Sequence, residues 1–281
     1  MSPFLQAYAR NRGAVFGSLV LGVVIVVALS AAWLFPGSPW DMTGAPFEPP
    51  LSGGMPLGSD MLGRDIAAGI AHGARVSLFV ALVSTLAAVF VGVSLGAIAG
   101  YFGGWVDHAI VGFTEFFQTI PSFVLAVVLV AIFTPSIGAI VGAIAVVSWP
   151  PLARLVRAEF LSLRSREYVQ AAILGGQSDH TIIVRHILPN SMSPIIVTAS
   201  MMVATAILLE SALSFLGLGD PNLMSWGYII GASRTVMRQA WWMSVFPGLA
   251  ILLTVLSLNL IGEGLNDAFN PRLQRSGENA S

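Results

Sequence analysis

Five stretches of this chain contain no Asp, Glu, Lys or Arg: 13–40, 76–106, 116–153, 186–209 and 239–262. A helix needs about 20 mostly apolar residues to cross a bilayer, so four of these stretches fit one span each. The stretch 116–153 is too long for one helix, and Thr134-Pro135-Ser136-Ile137-Gly138 interrupts it with turn residues. The pattern predicts six transmembrane helices, at about 14–35, 76–100, 108–133, 138–160, 190–216 and 243–266.

Composition agrees with that count. The chain has 281 residues, 56% apolar and only 10% charged, with a mean hydropathy of +0.82. Soluble domains carry about 25% charged residues. The fold class expected is an all-α integral membrane protein with one transmembrane domain over 13–270. The net charge of -1 implies no bulk electrostatic partner such as nucleic acid.

The basic residues orient the spans. All 13 are arginines. Six spans put Arg10, Arg12, Arg154, Arg157, Arg164, Arg166, Arg185, Arg272 and Arg275 on one side, and Arg64, Arg75, Arg234 and Arg238 on the other. The positive-inside rule makes the first side cytoplasmic. It follows that 1–12 and 271–281 are cytoplasmic tails, 36–75 and 217–242 are external loops, and 161–189 is a cytoplasmic loop between the fourth and fifth spans. The first apolar run exceeds the 7–15 residues of a signal-peptide core, so it reads as an uncleaved anchor.

The external loops offer candidate contacts. In Leu57–Ile66, Asp60, Arg64 and Asp65 can pair with one another in a charge-knit loop, or face an external partner. Trp226, Tyr228, Trp241 and Trp242 suit an aromatic belt at the bilayer interface, as do Trp33, Trp40, Trp105 and Trp149 at other span ends.

Few polar residues fall inside the spans. Glu210 and Asn259 are the candidate pathway or gating residues, since intramembrane polar groups face bundle interiors or aqueous cavities. The alternative for Glu210 is a carboxylate bonded to serines or backbone near the interface. Gly92, Gly96 and Gly100 are spaced by four, as are Gly138 and Gly142, which suits close helix packing.

Catalytic chemistry and cofactors find no support. There is no Cys, which removes disulfides and thiolate metal sites. The four histidines, at 72, 108, 180 and 186, lack metal-ligand spacing. No serine stands in a recognisable triad order. The absence of lysine rules out a standard phosphate-binding Gly-Lys-Ser/Thr loop. If transport here is ATP-driven, another subunit must hydrolyse the nucleotide.

The cytoplasmic loop is the most patterned polar segment. Leu163–Ala172 reads as a helix, Gly175-Gly176 as a sharp turn, and Thr181–Leu188 as a second helix that runs into the fifth span. Pro189 then sits in that span's first turn, where proline is tolerated. Small residues at such a bend let a partner surface approach closely, and helical continuity turns the bend into a lever on the membrane.

This segment resembles the signature loop of ABC importer permeases, Glu-Ala-Ala, then three residues, Gly, and later Leu-Pro. Here it stands as Gln170-Ala171-Ala172, Gly176 and Leu188-Pro189, with Gln170 in the motif's Glu position and Glu167 one turn earlier. Further segments narrow the resemblance to the C-type permease subunit of the dipeptide/oligopeptide/nickel branch. They are Gly58–Asp65, Gly73–Leu78, Gly100–Asp107, Arg185–Asn190 and Ser214–Gly219. The resemblance implies a type I importer fold and a coupling helix that docks on an ATPase. The docking residues it implies are Glu167, Gln170, Ala171, Ala172, Gly175, Gly176, Ser178, Asp179, Arg185 and Pro189. It implies a B-type permease partner, two ATP-binding subunits, an extracytoplasmic solute-binding protein, and residence in the bacterial inner membrane. Peptides are the expected substrates; nickel chelates, glutathione and opines are the alternatives within the branch. Two rival readings remain from the residues alone: an ion-coupled carrier using Glu210, and a non-transporting membrane scaffold.

Overall fold

The computed structural model describes residues 3–269; Arg272, Arg275 and the expected tail 271–281 lie outside them. Eleven α-helices follow in order among these residues. They are α1 (Pro3–Arg10), α2 (Arg12–Leu34), α3 (Ile66–Phe102), α4 (Gly104–Thr119), α5 (Ser122–Ile132), α6 (Ile137–Arg164), α7 (Glu167–Leu174), α8 (Asp179–Thr181), α9 (Leu188–Leu213), α10 (Trp226–Ser233) and α11 (Trp242–Phe269). Wide π turns at Ile182–Ile187 and Ser214–Leu218 make α8 and α9 part of one 40-residue helical rod, Asp179–Leu218. No strand is present among the described residues, only isolated bridges in the 42–65 loop.

Among the described residues five helices are long and apolar enough to cross a membrane, and a sixth span is reached when the bent α4–α5 pair is taken as one. That third span is not the single helix expected over 108–133. It bends by 83° at Ile120-Pro121. Pro121 has no N–H to give to the helix, and the residue before a proline is pushed out of the α region. Ile120 accordingly adopts φ -91° and ψ 128°.

Other boundaries move for identifiable reasons. The second span begins at Ile66 instead of 76. The helix runs through Arg75 because that guanidinium is bonded to backbone: Nε donates to the Ala28 carbonyl and Nη2 to that of Leu29, at 2.7 Å. The α6 helix continues to Arg164, and α7 begins only at Glu167, so Leu163–Ala172 is not one helix. The expected N-terminal tail contains α1, whose Phe4 packs on Phe269 of α11. The expected external loop 217–242 contains α10.

The glycine ladder of α3 makes the tightest helix contact. A Cβ on Gly96 would come within 2.5 Å of the Ala153 carbonyl, and one on Gly100 within 2.6 Å of Phe160 Cβ. Gly92 meets Trp149 and Leu152 in the same way. The α3 and α6 backbones therefore touch along the four-residue spacing, as small-residue stripes permit. Arg157 of α6 clamps Asp107 of α4 beside this seam, with Nε to Oδ1 and Nη2 to Oδ2. Gly138 and Gly142 differ: nothing lies within 4 Å of where their Cβ atoms would be, so they pack against no helix among the described residues.

The bundle has two distinct ends. At one, Asn11 bonds Asp267, and the 165–187 segment joins the tip of α3. At the other, Trp226 Nε1 donates to the Ile70 carbonyl (2.9 Å) and Trp242 Nε1 to that of Ser59 (3.0 Å). These two tryptophans are buried, 1% and 6% exposed, as is Trp149. They are core residues and not part of a belt; Trp33, Trp105 and Trp241 are the exposed ones.

Candidate functional site

The segment between α6 and the Asp179–Leu218 rod is built as a helix-and-turn tab. Gln170 Nε2 donates to the Arg164 carbonyl (2.8 Å), covering the open end of α6. Val169 and Ala172 face inward and pack in a cluster with Tyr101, Val156, Phe160, Ile182 and Ile187. The α7 helix ends in a Schellman motif: Gln177 N–H bonds the Ala172 carbonyl and Gly176 N–H that of Ile173. That motif requires a left-handed residue, and Gly176 supplies it with φ +73°.

The outward face carries the expected docking residues. Glu167, Gln170, Ala171, Gly175, Gly176, Ser178, Asp179, Arg185 and Pro189 are exposed, while Ala172 is buried. Ser178 caps α8 by accepting from Thr181 N–H. Asp179 is also bonded within the chain. Its Oδ1 accepts from the Tyr101 hydroxyl at 2.7 Å, tying the rod to the end of α3. Sequence reasoning missed three participants. Tyr101 is one, and its sequence neighbours give no sign of this partner. Leu174 and Tyr168 are the others, exposed at 88% and 43% on the tab. An apolar tip on an otherwise polar segment was the available signal. Beside the tab, Ser162, Ser165, Arg166, Glu167, Tyr168 and Asn190 line a cleft of about 1000 Å³.

The rod begins next to the tab. Pro189 cannot donate a helical hydrogen bond, and the chain widens into a π turn over Ile182–Ile187, the kind of irregularity found at functional sites. Asn190 Nδ2 takes up the His186 carbonyl at 2.7 Å. The α4–α5 break, Pro150-Pro151 of α6 and one face of α9 line a half-open cavity of about 460 Å³. Gln118, Ser122, Ser148, Thr198 and Thr205 give it uncharged hydrogen-bonding groups among apolar walls.

Neither expected pathway residue lines this cavity. Asn259 lies exposed on α11. Glu210 is 2% exposed and takes hydroxyl donors from Ser225 (2.7 Å), Ser214 (2.8 Å), Ser211 (3.4 Å) and Ser77 (3.5 Å). The arrangement is the serine-bonded carboxylate of the alternative reading. Glu210 is almost fully shielded from solvent by this arrangement.

The charged group at the other end also turns inward. Asp60 and Arg64 are both 7% exposed and joined at 2.6 Å, with Arg64 stacked over Trp40 at 5.1 Å. Asp60 Oδ1 also accepts from the Leu62 and Arg64 amides. Asp65 caps α3 through Ala67 N–H at 2.8 Å. Burial raises the Asp65 carboxyl above the ordinary range, against the pull of the Ala67 and Ala68 amides. Asp60 and Arg64 thus adopt the charge-knit arrangement, the first of the two readings their sequence offers. Leu51 and Met42, 89% and 68% exposed, are what the loop presents. No cluster of His, Cys, Asp and Glu suited to a metal occurs among the described residues.

Residues 92–275 match the family described as binding-protein-dependent transport system inner membrane component. This chain belongs to that family. The permease is 38% identical, over 98% of its length and 93% of the relative's, to the di/tripeptide transport system permease protein DppC of Pseudomonas aeruginosa. It is 37% identical to the oligopeptide permease OppC of Haemophilus influenzae, covering 95% of this chain and 87% of that one. The glutathione transport permease GsiD of Pectobacterium atrosepticum is 38% identical, covering 96% and 91%. Among solved structures, the MetNI methionine ABC transporter aligns with TM-score 0.58 at 16% identity, over 74% of this chain and 95% of that one. An amino acid ABC transporter aligns with TM-score 0.56 at 13% identity, over 72% and 94%. The fold is that of type I ABC importer permeases, and the chain is a C-type permease subunit of such an importer.

Proposed function

We propose that this permease moves peptides across the bacterial inner membrane, driven by ATPase subunits that dock on the 166–178 tab. The observation that carries the substrate class is near full-length similarity to a permease named for di- and tripeptides. The 460 Å³ cavity suits such cargo: its uncharged polar groups can meet a peptide backbone without trapping either charged terminus.

In this reading the end carrying the tab is cytoplasmic, as the arginine bias requires, and both termini lie on that side. Two ATP-binding subunits close and open beneath a pair of permeases, this chain and a B-type partner. The tab carries that motion into the Asp179–Leu218 rod, and the bundle alternates its access. A solute-binding protein delivers cargo at the end where Trp226 and Trp242 are buried. Exposed Leu174 and Tyr168, with Glu167, Gln170 and Gly176, form the docking face; Asp179 holds it to α3. Glutathione, itself a tripeptide, is the second cargo supported, by the GsiD similarity.

The test is reconstitution of the complete assembly in vesicles with labelled dipeptide, tripeptide, glutathione and a nickel chelate. Vanadate-sensitive uptake of di- or tripeptides is expected. Uptake of the chelate alone, or transport that persists without the ATPases, overturns the reading.

A further inference from the structure

Glu210 is the most deeply buried charged side chain among the described residues, and no cation accompanies it. Taking a carboxylate out of water is costly, and charge-assisted hydroxyl bonds offset the cost. Filling space alone would not call for an acid at this depth. The arrangement around the carboxylate points to another use.

Its donors come from three elements. Ser77 belongs to α3, Ser211 and Ser214 to the rod, and Ser225 to the start of α10. Ser225 is at once a Glu210 donor and the N-cap of α10, accepting from Tyr228 N–H at 3.0 Å. Trp226 N–H donates to Ser77 Oγ (3.2 Å), which closes the ring of contacts. Gly227 lies so close that a Cβ would come within 2.7 Å of Ser211 Cα and 3.2 Å of Glu210 Oε1. The first turn of α10 is thus seated on the carboxylate, where a helix N-terminus favours negative charge. The rod that holds Glu210 starts at Asp179, directly after the tab, and 40 residues make it about 60 Å long.

We propose that Glu210 is a positioning residue of transport, keying α10 to the rod so that motion applied at the tab moves α10 at the opposite end. The proposal rests on the tab being the input. It makes α10 the element through which the ATPases and the delivery side sense each other. The carboxylate acts by its hydrogen bonds, and its charge carries no ion.

The test uses the full assembly in vesicles and measures basal ATP hydrolysis, its stimulation by loaded binding protein, and uptake. Glu210→Ala and Ser225→Ala should each lower stimulation and uptake about tenfold or more, the factor that one lost charge-assisted bond represents. Basal hydrolysis and assembly should persist, and the double variant should be no worse than either single one. Glu210→Gln should keep uptake, because its amide oxygen still accepts from Ser225 and Ser214. Wild-type stimulation in Ser225→Ala overturns the proposal, whether or not Glu210→Ala assembles. So does loss of assembly or basal hydrolysis in step with uptake, which marks a merely structural role. Loss of uptake in Glu210→Gln with normal Ser225→Ala assigns the role to the charge and overturns it too. A wild-type assembly that takes up no peptide refutes the substrate reading alone, because stimulation still reports the joint. An insensitive Gly176→Trp beside an impaired Ser225→Ala refutes the tab alone.

Discussion

The Tyr101 hydroxyl donates to Asp179 Oδ1 at 2.7 Å, across 78 residues of sequence. This bond fastens the first residue of the rod to the last turn of α3, whose glycine ladder fastens it in turn to α6. Tyr101→Phe removes the donor and nothing else. We expect about 1.5–3 kcal/mol of lost stability, the range for a hydrogen bond to a charged group, and lower uptake per ATP hydrolysed. Paired measurements of phosphate release and peptide accumulation will show the ratio fall; an unchanged ratio would mean that the bond is dispensable.

Gly176 combines a left-handed backbone with open space around it. Gly176→Ala should cost about 1 kcal/mol, the penalty for a Cβ at positive φ, and leave docking intact. Gly176→Trp carries the same backbone cost and adds bulk on the docking face. Co-purification of the ATPases should survive the first and fail with the second. Retention of the ATPases by Gly176→Trp would remove the bend from the interface.

Gly96 has no room for a side chain against the Ala153 carbonyl. Gly96→Leu must push α3 from α6, and overpacking of this kind costs about 1–3 kcal/mol. A lower unfolding temperature in detergent is expected. Gly138→Leu, with open space at the same atom, should leave the isolated subunit unchanged and reveal by reduced pairing whether the partner permease covers it.

Asp60 and Arg64 form a buried pair at 2.6 Å. Breaking such a pair by removing one partner strands the other charge, at about 3–5 kcal/mol. Asp60→Ala should therefore loosen residues 36–65 and expose them to protease in intact vesicles. Arg64→Lys should fall between, since lysine lacks the planar group that stacks on Trp40. Equal protease resistance in all three proteins would refute the knot.

Much of the site is legible in order of sequence. The Gln170–Gly176 pattern marks a helix, its left-handed stop and its exposed face, because these depend on neighbours within one turn. Gly92, Gly96 and Gly100 likewise announce a seam. The contrast with Gly138 and Gly142 is instructive: the same spacing meets a helix in one place and open space in the other. Spacing describes a surface, and only packing supplies what lies against it. Asp60, Arg64 and Trp226 teach the same lesson. Charge and aromaticity suggested surfaces facing a partner or the bilayer, yet local folding of the loop and the return of α10 bury all three.

The apolar runs, their arginine bias, the lack of a phosphate-binding lysine loop and the glycine turn are all written in the order of residues. Each follows from a short window or a simple count: enough apolar residues to cross lipid, a missing lysine, or a backbone angle that glycine tolerates. Which polar groups meet is settled by packing alone. Glu210 finds Ser77 and Ser225 from 133 and 15 residues away, and Tyr101 finds Asp179. Those contacts arise from the order in which whole helices stack, because hydrogen bonds form only where packing brings donors within about 3 Å of an acceptor.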